Sequence, residues 1–344
     1  MKHTATIIIL LLAAIVAKAQ DTHFSQFYAT PLTINPAETG NFIEDYRVGG
    51  NFKNQWPWGQ QDKRFTYRTF SLYSDFSLFH NRLPGKDWMG AGLVMLQDFA
   101  GDGNLSITKV YGSVAYHKVF GREAKYYLSL GVNAGMVQKR INYEALYFDN
   151  QWNDLFFDPT AATGEPGNAN WKTLYFDMAA GLNFSMAPRK NMRFSIGTAL
   201  MHLTKPNETF YADGSNRLGM RPAVTALGNI RFSKKWHIEP GYYYMFQKRA
   251  SQHVINLLAG YSLPSNKRTS DHTIYFGASY RVKDAIIPVV GYRFKSVKVM
   301  MNYDVNVSKL TPTSNAVGGF EISVVHTGFF PNSTGNRAVP CPRL

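Results

Sequence analysis

The sequence is poor in three features on which many proteins rely. It contains one cysteine, Cys341, so an internal disulfide is impossible. Charged residues make up 17% of the chain, below the roughly 25% of a typical soluble domain. Beyond the N-terminal leader, no apolar run approaches the length of about 18 residues that a membrane-spanning helix needs. Disulfide-stapled secreted domains and helical membrane proteins are therefore excluded.

Chemistry-bearing motifs are also missing. The chain has no GxSxG nucleophile motif, HExxH zinc motif, phosphate-binding loop or CxxC pair. Its nine histidines are scattered rather than clustered. We therefore predict no catalytic residue, no cofactor and no metal site, and a membrane enzyme with its active site on a barrel rim is only the third of three functional alternatives.

The N-terminus has the pattern of a secretory signal peptide. A short polar start precedes the apolar stretch from Ile7 to Val16, and Ala17-Lys18-Ala19 fits the small-x-small cleavage rule. We predict a signal peptide over residues 1–19 and a mature chain that begins at Gln20. The alternative is a membrane anchor, but the apolar stretch is too short to cross a bilayer. Export also argues against a nucleic-acid partner, despite the formal net charge of +14.

Period-two alternation of apolar and polar residues dominates the chain from Tyr46 onward. In the stretch 297–307 the odd positions are apolar and the even ones mostly polar. A helix would mix these two sets, whereas a strand separates them. The pattern predicts strands at 46–53, 64–77, 88–97, 106–120, 125–141, 173–186, 192–202, 222–232, 236–247, 253–262, 272–281, 285–294, 297–307 and 317–326.

A soluble sandwich or propeller and a transmembrane barrel both fit such strands. Several strands reach about ten residues, the length that a tilted strand needs to cross a bilayer, whereas strands of soluble proteins average about five or six. The polar faces are rich in Gly and Asn, and the apolar faces end in aromatic residues, as a lumen and lipid-interface belts do. We predict an all-β fold, a transmembrane antiparallel β-barrel of about fourteen strands. Its parts are an irregular segment at 20–45, the barrel at 46–326 and a tail at 327–344.

The connections differ in length and charge. Turns after the even-numbered strands are mostly short and basic, and the odd-numbered strands precede longer loops at 53–63, 98–105, 142–172 and 203–221. In bacterial barrels, short turns face the periplasm and long loops face outward. A basic periplasmic rim suits an acidic partner or anionic lipid, although lysines in turns also serve solubility alone.

Loop 142–172 is long enough to suggest a function of its own. It interleaves aromatic and acidic residues, but its aspartates lack the spacing of a calcium loop. We therefore predict a packed lid or plug. Its candidate partner-binding residues are Trp152, Phe156 and Phe157.

Charged residues of both signs fall on the predicted lumen faces. Such residues form either a structural ring of ion pairs or a binding site for an inserted polar peptide, and the sequence does not separate these two roles. The candidates are Asp177, Arg231, Glu239, Arg281, Arg293, Asp304 and Glu321.

The segment after the predicted cleavage site resembles the opening of the PorP/SprF family, membrane proteins of the type IX secretion and gliding systems of Bacteroidetes. Members begin with Q-D-x-x-F-S-Q-[FY], continue with x-P-L-x-x-N-P-A, and have a glycine before the first strand. The matching residues are Gln20, Asp21, Phe24, Ser25, Gln26, Phe27, Pro31, Leu32, Asn35, Pro36, Ala37 and Gly40. Further similar stretches are Asn54-Gln55-Trp56, His202-Leu203 with Pro206, Tyr303-Asp304 with Ser308-Lys309-Leu310, Gly318-Gly319-Phe320-Glu321-Ile322, and the ending Cys341-Pro342-Arg343-Leu344, where the family ends in Phe.

The resemblance implies a non-enzymatic barrel in the lipid of the outer membrane. It implies that the barrel anchors a secreted adhesin or cargo protein through that protein's C-terminal domain, or docks with periplasmic type IX components. The alternative from the residues alone is a passive or substrate-selective channel for small solutes, since a polar lumen is typical of channels.

The irregular opening segment has no strand partner of its own. We predict that it folds into the lumen or along the periplasmic mouth, where it plugs the pore or presents a surface to a partner; a disordered leader is the alternative. Its candidate residues are Phe24, Ser25, Gln26, Phe27, Tyr28, Asn35 and Pro36.

Overall fold

The structure is a computed structural model. It describes residues 21–56, 67–80, 82–101, 103–121, 123–153, 155–164, 171–211, 214–264, 271–308 and 317–331. The predicted signal peptide 1–19, Gln20, the pair Lys309-Leu310 and the C-terminal motif Cys341 to Leu344 lie outside these residues.

Fourteen antiparallel strands form a closed barrel in which each strand pairs with its sequence neighbours, and β1 pairs with β14. The strands are β1 Tyr46–Gln55, β2 Tyr67–Leu78, β3 Trp88–Ala100, β4 Leu105–Phe120, β5 Tyr126–Arg140, β6 Lys172–Arg189, β7 Met192–Met201, β8 Arg221–Arg231, β9 Trp236–Gln247, β10 Ala250–Ser262, β11 His272–Arg281, β12 Ala285–Phe294, β13 Val297–Asn306 and β14 Val317–Gly328. The predicted barrel and its strand count are confirmed. No helix in the described part of the chain is long and apolar enough to cross a membrane.

The alternation of the sequence separates a lipid face from a lumen face. On β6, Leu174 and Phe176 are about half exposed on the outside, whereas Asp177 and Asn183 are buried inside. Closure leaves no open sheet edge, so every strand can hydrogen-bond on both sides within the hydrocarbon region. Outward-facing aromatics lie near both ends of the strands, as an interface belt requires. They include Phe52, Phe70, Phe120, Tyr126, Phe176, Phe232, Trp236, Phe246, Tyr280 and Phe294.

The barrel has two different ends. We call the end with the connections 79–87, 121–125, 190–191, 232–235, 263–271 and 295–296 the turn end, and the opposite end, with 141–171 and 202–220, the loop end. The expectation of a long loop after each early odd-numbered strand is wrong at 98–105, because β3 and β4 extend to Ala100 and Leu105 and leave a tight turn. The loop end also carries the short connections 248–249 and 282–284.

Residues 21–45, the lumenal segment, lie inside the barrel instead of pairing with a strand. The segment has three short helical turns, Phe27–Ala29, Pro31–Ile34 and Pro36–Glu38. Proline occupies the first position of the last two, where its missing N–H costs no hydrogen bond. The side chain of Asn35 caps the third turn by accepting a 2.9 Å hydrogen bond from the amide of Ala37. The sequence therefore folds the segment into compact turns that fit a lumen.

The lumenal segment as the candidate functional site

The lumenal segment runs the length of the barrel. At the turn end, the Asp45 amide donates to the carbonyl of Gly328 at 2.8 Å, and the Asp45 carbonyl accepts from Ser77 at 2.8 Å. At the loop end, the Asp21 carboxylate lies 3.1 Å from Arg221 Nη1 and 3.2 Å from His202 Nε2. The chain therefore enters at the turn end and presents its first described residue at the opposite mouth.

Asp21 is held by a cluster of cationic groups. Lys109 pairs with its Oδ1, and Arg221 with its Oδ2. His202 bridges to Asp177 through Nδ1 at 2.7 Å. Burial raises the pKa of Asp21, but the positive charges of Lys109 and Arg221 and the hydrogen bond from His202 outweigh it and hold that pKa well below its usual range. Asp21 therefore stays ionised and fastens the start of the segment.

Ser25 and Gln26 bind the two last strands of the barrel. Glu321 on β14 accepts from the Ser25 amide at 2.8 Å and from the Gln26 amide at 3.1 Å. The Ser25 hydroxyl donates to Asp304 on β13 at 2.8 Å. Arg281 donates to the Ser25 hydroxyl at 2.9 Å and to Asp304 at 2.7 Å. Two candidate sets that the sequence indicated separately, segment residues and lumen charges, thus meet in one buried network.

Aromatic and aliphatic residues fill the middle of the lumen. Phe27 is 2% exposed and stacks on Tyr243 with ring centroids 5.5 Å apart. Leu32 is fully buried against Tyr73 and Val94. Burying side chains of this size contributes roughly 1.5–3 kcal/mol each. Phe24 is also 2% exposed, and Tyr28 packs edge-on against Phe27 at 5.7 Å.

The second half of the segment touches strand backbones directly. Asn35 donates to the carbonyl of Leu182 at 3.0 Å. A Cβ on Gly131 would lie 2.4 Å from the carbonyl carbon of Pro36, so only glycine permits this approach. His117 donates from Nε2 to the carbonyl of Thr39 at 2.8 Å. These contacts fix the segment to the wall of the barrel.

Two cavities of the described lumen lie on opposite sides of the segment. The cavity on the turn side has about 260 Å³ and is lined by Tyr28, Glu38, Asn229 and Glu239, among others. The cavity on the loop side has about 390 Å³ and is lined by Asp21, His23 and the basic side chains of β1, β4 and β5. Between them the segment is packed as described above, and its role as a plug stays a prediction.

The remaining lumen charges differ in their partners. Glu239 lies 3.2 Å from Lys298 and 3.5 Å from His237. Arg231 and Arg293 are half-buried at the turn end. Among the described residues, neither has a carboxylate within ion-pair distance.

The long loop is anchored at its base and exposed at its tip. Tyr143 stacks on Trp171 with ring centroids 4.2 Å apart, and Phe157 packs edge-on against Tyr147 at 5.0 Å. Trp152 and Phe156 are 54% and 58% exposed. In its described residues the loop contacts itself and the neighbouring turn at Gly103. Its role as a lid stays a prediction.

Sequence reasoning missed the anchor of Asp21. Lys109 and Arg221 lie on lumen faces by strand parity, and His202 stood out only in a family-like stretch. The pattern gave no signal that these residues converge on the start of the lumenal segment. Only the path of the segment through the barrel brings them together.

Solved structures with the same fold are outer-membrane barrels. The toluene transporter TbuX of Ralstonia pickettii matches with a TM-score of 0.50 at 12% identity, covering 88% of this chain and 94% of that one. A mutant of the monoaromatic hydrocarbon channel TodX matches with a TM-score of 0.51 at 10% identity, covering 87% and 94%. At such identities the likeness shows the fold alone. A comparison with curated protein sequences found no match.

The family comparison covers nearly the whole described chain. The model of the type IX secretion system membrane protein PorP/SprF matches residues 16–326, which include the lumenal segment and all strands except the last two residues of β14. The resemblance noted in the opening segment is therefore confirmed over the full barrel. The chain belongs to the PorP/SprF family of type IX secretion system membrane proteins and is an outer-membrane β-barrel.

Proposed function

We propose that this barrel is a closed docking platform. It anchors a secreted adhesin or cargo protein through that protein's C-terminal domain and contacts periplasmic components of the type IX machinery, without chemistry of its own. The observation that carries the proposal is the packed lumenal segment. A lumen whose middle is filled by packed side chains suits a scaffold better than a conduit.

The two ends of the barrel have different surfaces for such contacts. With the orientation usual for bacterial barrels, the loop end faces outward and the turn end faces the periplasm. Exposed aromatics such as Trp152 and Phe156 suit capture of a surface protein, since aromatic residues dominate binding hot spots. The turn end then meets the periplasmic machinery.

The proposal is tested by affinity capture from gently solubilised outer membranes of the native host, with a tag in the short turn 190–191. Recovery of a large exported protein or of secretion lipoproteins is the expected result. In the Trp152→Ala/Phe156→Ala variant we expect the exported protein to be lost while the periplasmic components stay.

A matched control is Phe329→Ala, because Phe329 is 51% exposed near the turn end. This change should leave capture of the exported protein unchanged. A barrel that stays free of partners after cross-linking contradicts the anchor proposal.

A substrate-selective channel is the second candidate. The observation in its favour is the cavity of about 390 Å³ at the loop end, together with the likeness in fold to TbuX and TodX, which are described as a toluene transporter and a monoaromatic hydrocarbon channel. Purified protein in liposomes separates the candidates. Swelling in small sugars or uptake of a small aromatic favours the channel, and an impermeable vesicle favours the platform.

A further inference from the structure

Among the described residues, two guanidinium groups at the turn end have no acidic partner. Arg231, the last residue of β8, and Arg293, near the end of β12, both point into the lumen by strand parity and are half-buried. Arg293 donates to the Thr273 hydroxyl at 3.0 Å, and its Nε has no hydrogen-bond partner among the described residues. A partly buried charge without a counter-charge is costly.

The neighbouring side chains do not neutralise these groups. Glu239, the carboxylate on the adjacent strand, is already shared by Lys298 and His237. Lys298 also lies over the ring of Tyr275 at 4.0 Å. His237 is 4% exposed, and its Nδ1 has no partner among the described residues. The lumen at this end therefore holds an excess of cationic groups and an unpaired polar nitrogen.

The rim around the two arginines is basic as well. Exposed cations at the turn end are Arg189, Lys190, Lys234, Lys235 and Lys295. Such a surface attracts negative charge and steers it to the mouth.

The chemistry and position of the arginines select the ligand. A guanidinium binds carboxylates with a planar fork of donors. Because both arginines face the lumen, a lipid headgroup on the outer wall does not meet them. Residues 332–344 of this chain carry Arg337 and Arg343 and no aspartate or glutamate, so their charge is unfavourable. An acidic polypeptide from another protein is the ligand that fits.

We propose that the turn end is a receptor for an acidic polypeptide segment, whose carboxylates bind at Arg231 and Arg293. This inference deepens the proposed docking function and rests on it for the side of the membrane that the turn end faces. The rim cations give long-range attraction, and the two lumenal arginines give the specific contact.

The test uses the purified full chain in zwitterionic micelles and a fluorescently labelled oligoglutamate peptide, with binding followed by anisotropy. We expect binding that weakens with salt, and no binding of a matched oligoglutamine peptide. Arg231→Gln/Arg293→Gln should weaken binding by about tenfold or more. Arg231→Lys/Arg293→Lys, which keeps the charge but loses the planar donor fork, should bind more tightly than the Gln variant and more weakly than the wild type.

The matched control is Lys234→Gln/Lys235→Gln, which removes two rim charges without touching the lumen. This variant should weaken binding by only about two- to threefold, and mainly at low salt. Thermal unfolding is measured for every variant. Without bound peptide, we expect the Arg231→Gln/Arg293→Gln barrel to be at least as stable as the wild type, because two partly buried charges without a counter-charge have been removed.

Three results overturn the inference. The first is an equal loss of affinity in the lumenal and rim variants, which means diffuse attraction alone. The second is binding of inorganic phosphate without binding of the peptide, which means a small-anion site. The third is unchanged capture of type IX components by Arg231→Gln/Arg293→Gln, which spares the docking function but removes its proposed contact. Peptide binding as expected without any captured partner instead contradicts the docking function.

Discussion

The hydroxyl of Ser25 donates a 2.8 Å hydrogen bond to the carboxylate of Asp304, across a sequence separation of 279 residues. This contact joins the N-terminal part of the lumenal segment to the last hairpin of the barrel. Arg281 binds both groups, so the three side chains form a buried charged triad. Such networks stabilise only when each member is satisfied, which makes them sensitive to single substitutions.

Replacing Glu321 tests the strength of this network. Glu321→Gln removes the charge that pairs with Lys53 at 3.2 Å and one of the acceptors for the amides of Ser25 and Gln26. We expect a loss of about 2–4 kcal/mol in the free energy of unfolding, because one partner of a buried ion pair is left behind. Denaturant unfolding in lipid vesicles, followed by tryptophan fluorescence, measures it. The control is Glu123→Gln, since Glu123 pairs only with Lys125 on the exposed turn, and no measurable change is expected there.

Deleting residues 21–40 tests whether the segment closes the pore. The deletion removes the side chains that fill the middle of the lumen, so the permeability of reconstituted vesicles to small sugars should rise clearly above that of the wild type. Deleting loop residues 145–163 should leave vesicles closed if the segment alone seals the barrel. Unchanged permeability and unchanged partner capture after deletion of residues 21–40 would contradict the prediction that the segment is a plug.

A single methyl group should displace the segment. Gly131→Ala places a Cβ against the backbone of Pro36, whereas Gly112→Ala meets nothing within 4 Å on the outer wall. Overpacking of this kind costs roughly 1–3 kcal/mol. We expect Gly131→Ala to lower stability and to expose residues 21–45 to added protease, and Gly112→Ala to do neither. Equal behaviour of the two variants would show that the segment does not rest on this wall.

The anchor at Asp21 gives a pH prediction. Its pKa in the folded chain is below the ordinary value of 3.8, so the stability from its ion pairs is complete above about pH 4 and is lost as the pH falls further. An environment-sensitive dye on Thr22→Cys, in a Cys341→Ser background, should report a constant signal from about pH 8 to 5 and a change only in stronger acid. In Asp21→Asn the dye should report the released state at every pH. Release already near neutral pH in the otherwise native chain contradicts the assignment.

The strands were predictable because side-chain alternation is a local signal. β9, β11 and β12 match the predicted bounds 236–247, 272–281 and 285–294. The pattern missed the start of β10 at Ala250, three residues before the predicted 253, since Lys248 adopts a positive φ of 53° and allows a two-residue turn. Lysine gives no sequence signal for that conformation.

The sequence predicted two possible positions for the lumenal segment, the lumen and the periplasmic mouth, and did not decide between them. Its composition indicated a fold without strand pairing, but its partners are far away in sequence. The Asp21 amide donates a hydrogen bond to the side chain of Gln247, 226 residues away in sequence. The Ser323 hydroxyl donates one to the side chain of Gln26, 297 residues away. Local patterns carry no information about such pairs. The same limit explains why the ion pair of Glu239, and the lack of a carboxylate partner for Arg231 and Arg293 among the described residues, emerge only from the structure.

The hydrogen bonds between Ser25, Gln26 and the last two strands also constrain the order in which the barrel assembles. The segment leaves the ribosome first, yet its acceptors on β13 and β14 are synthesised last. After export the segment therefore lacks these hydrogen-bond acceptors until the first and last strands have paired. Contacts of such sequence separation form slowly. Docking of the segment thus reports that the ring has closed, so a barrel released from its insertion machinery too early would be recognisable by a protease-sensitive N-terminus.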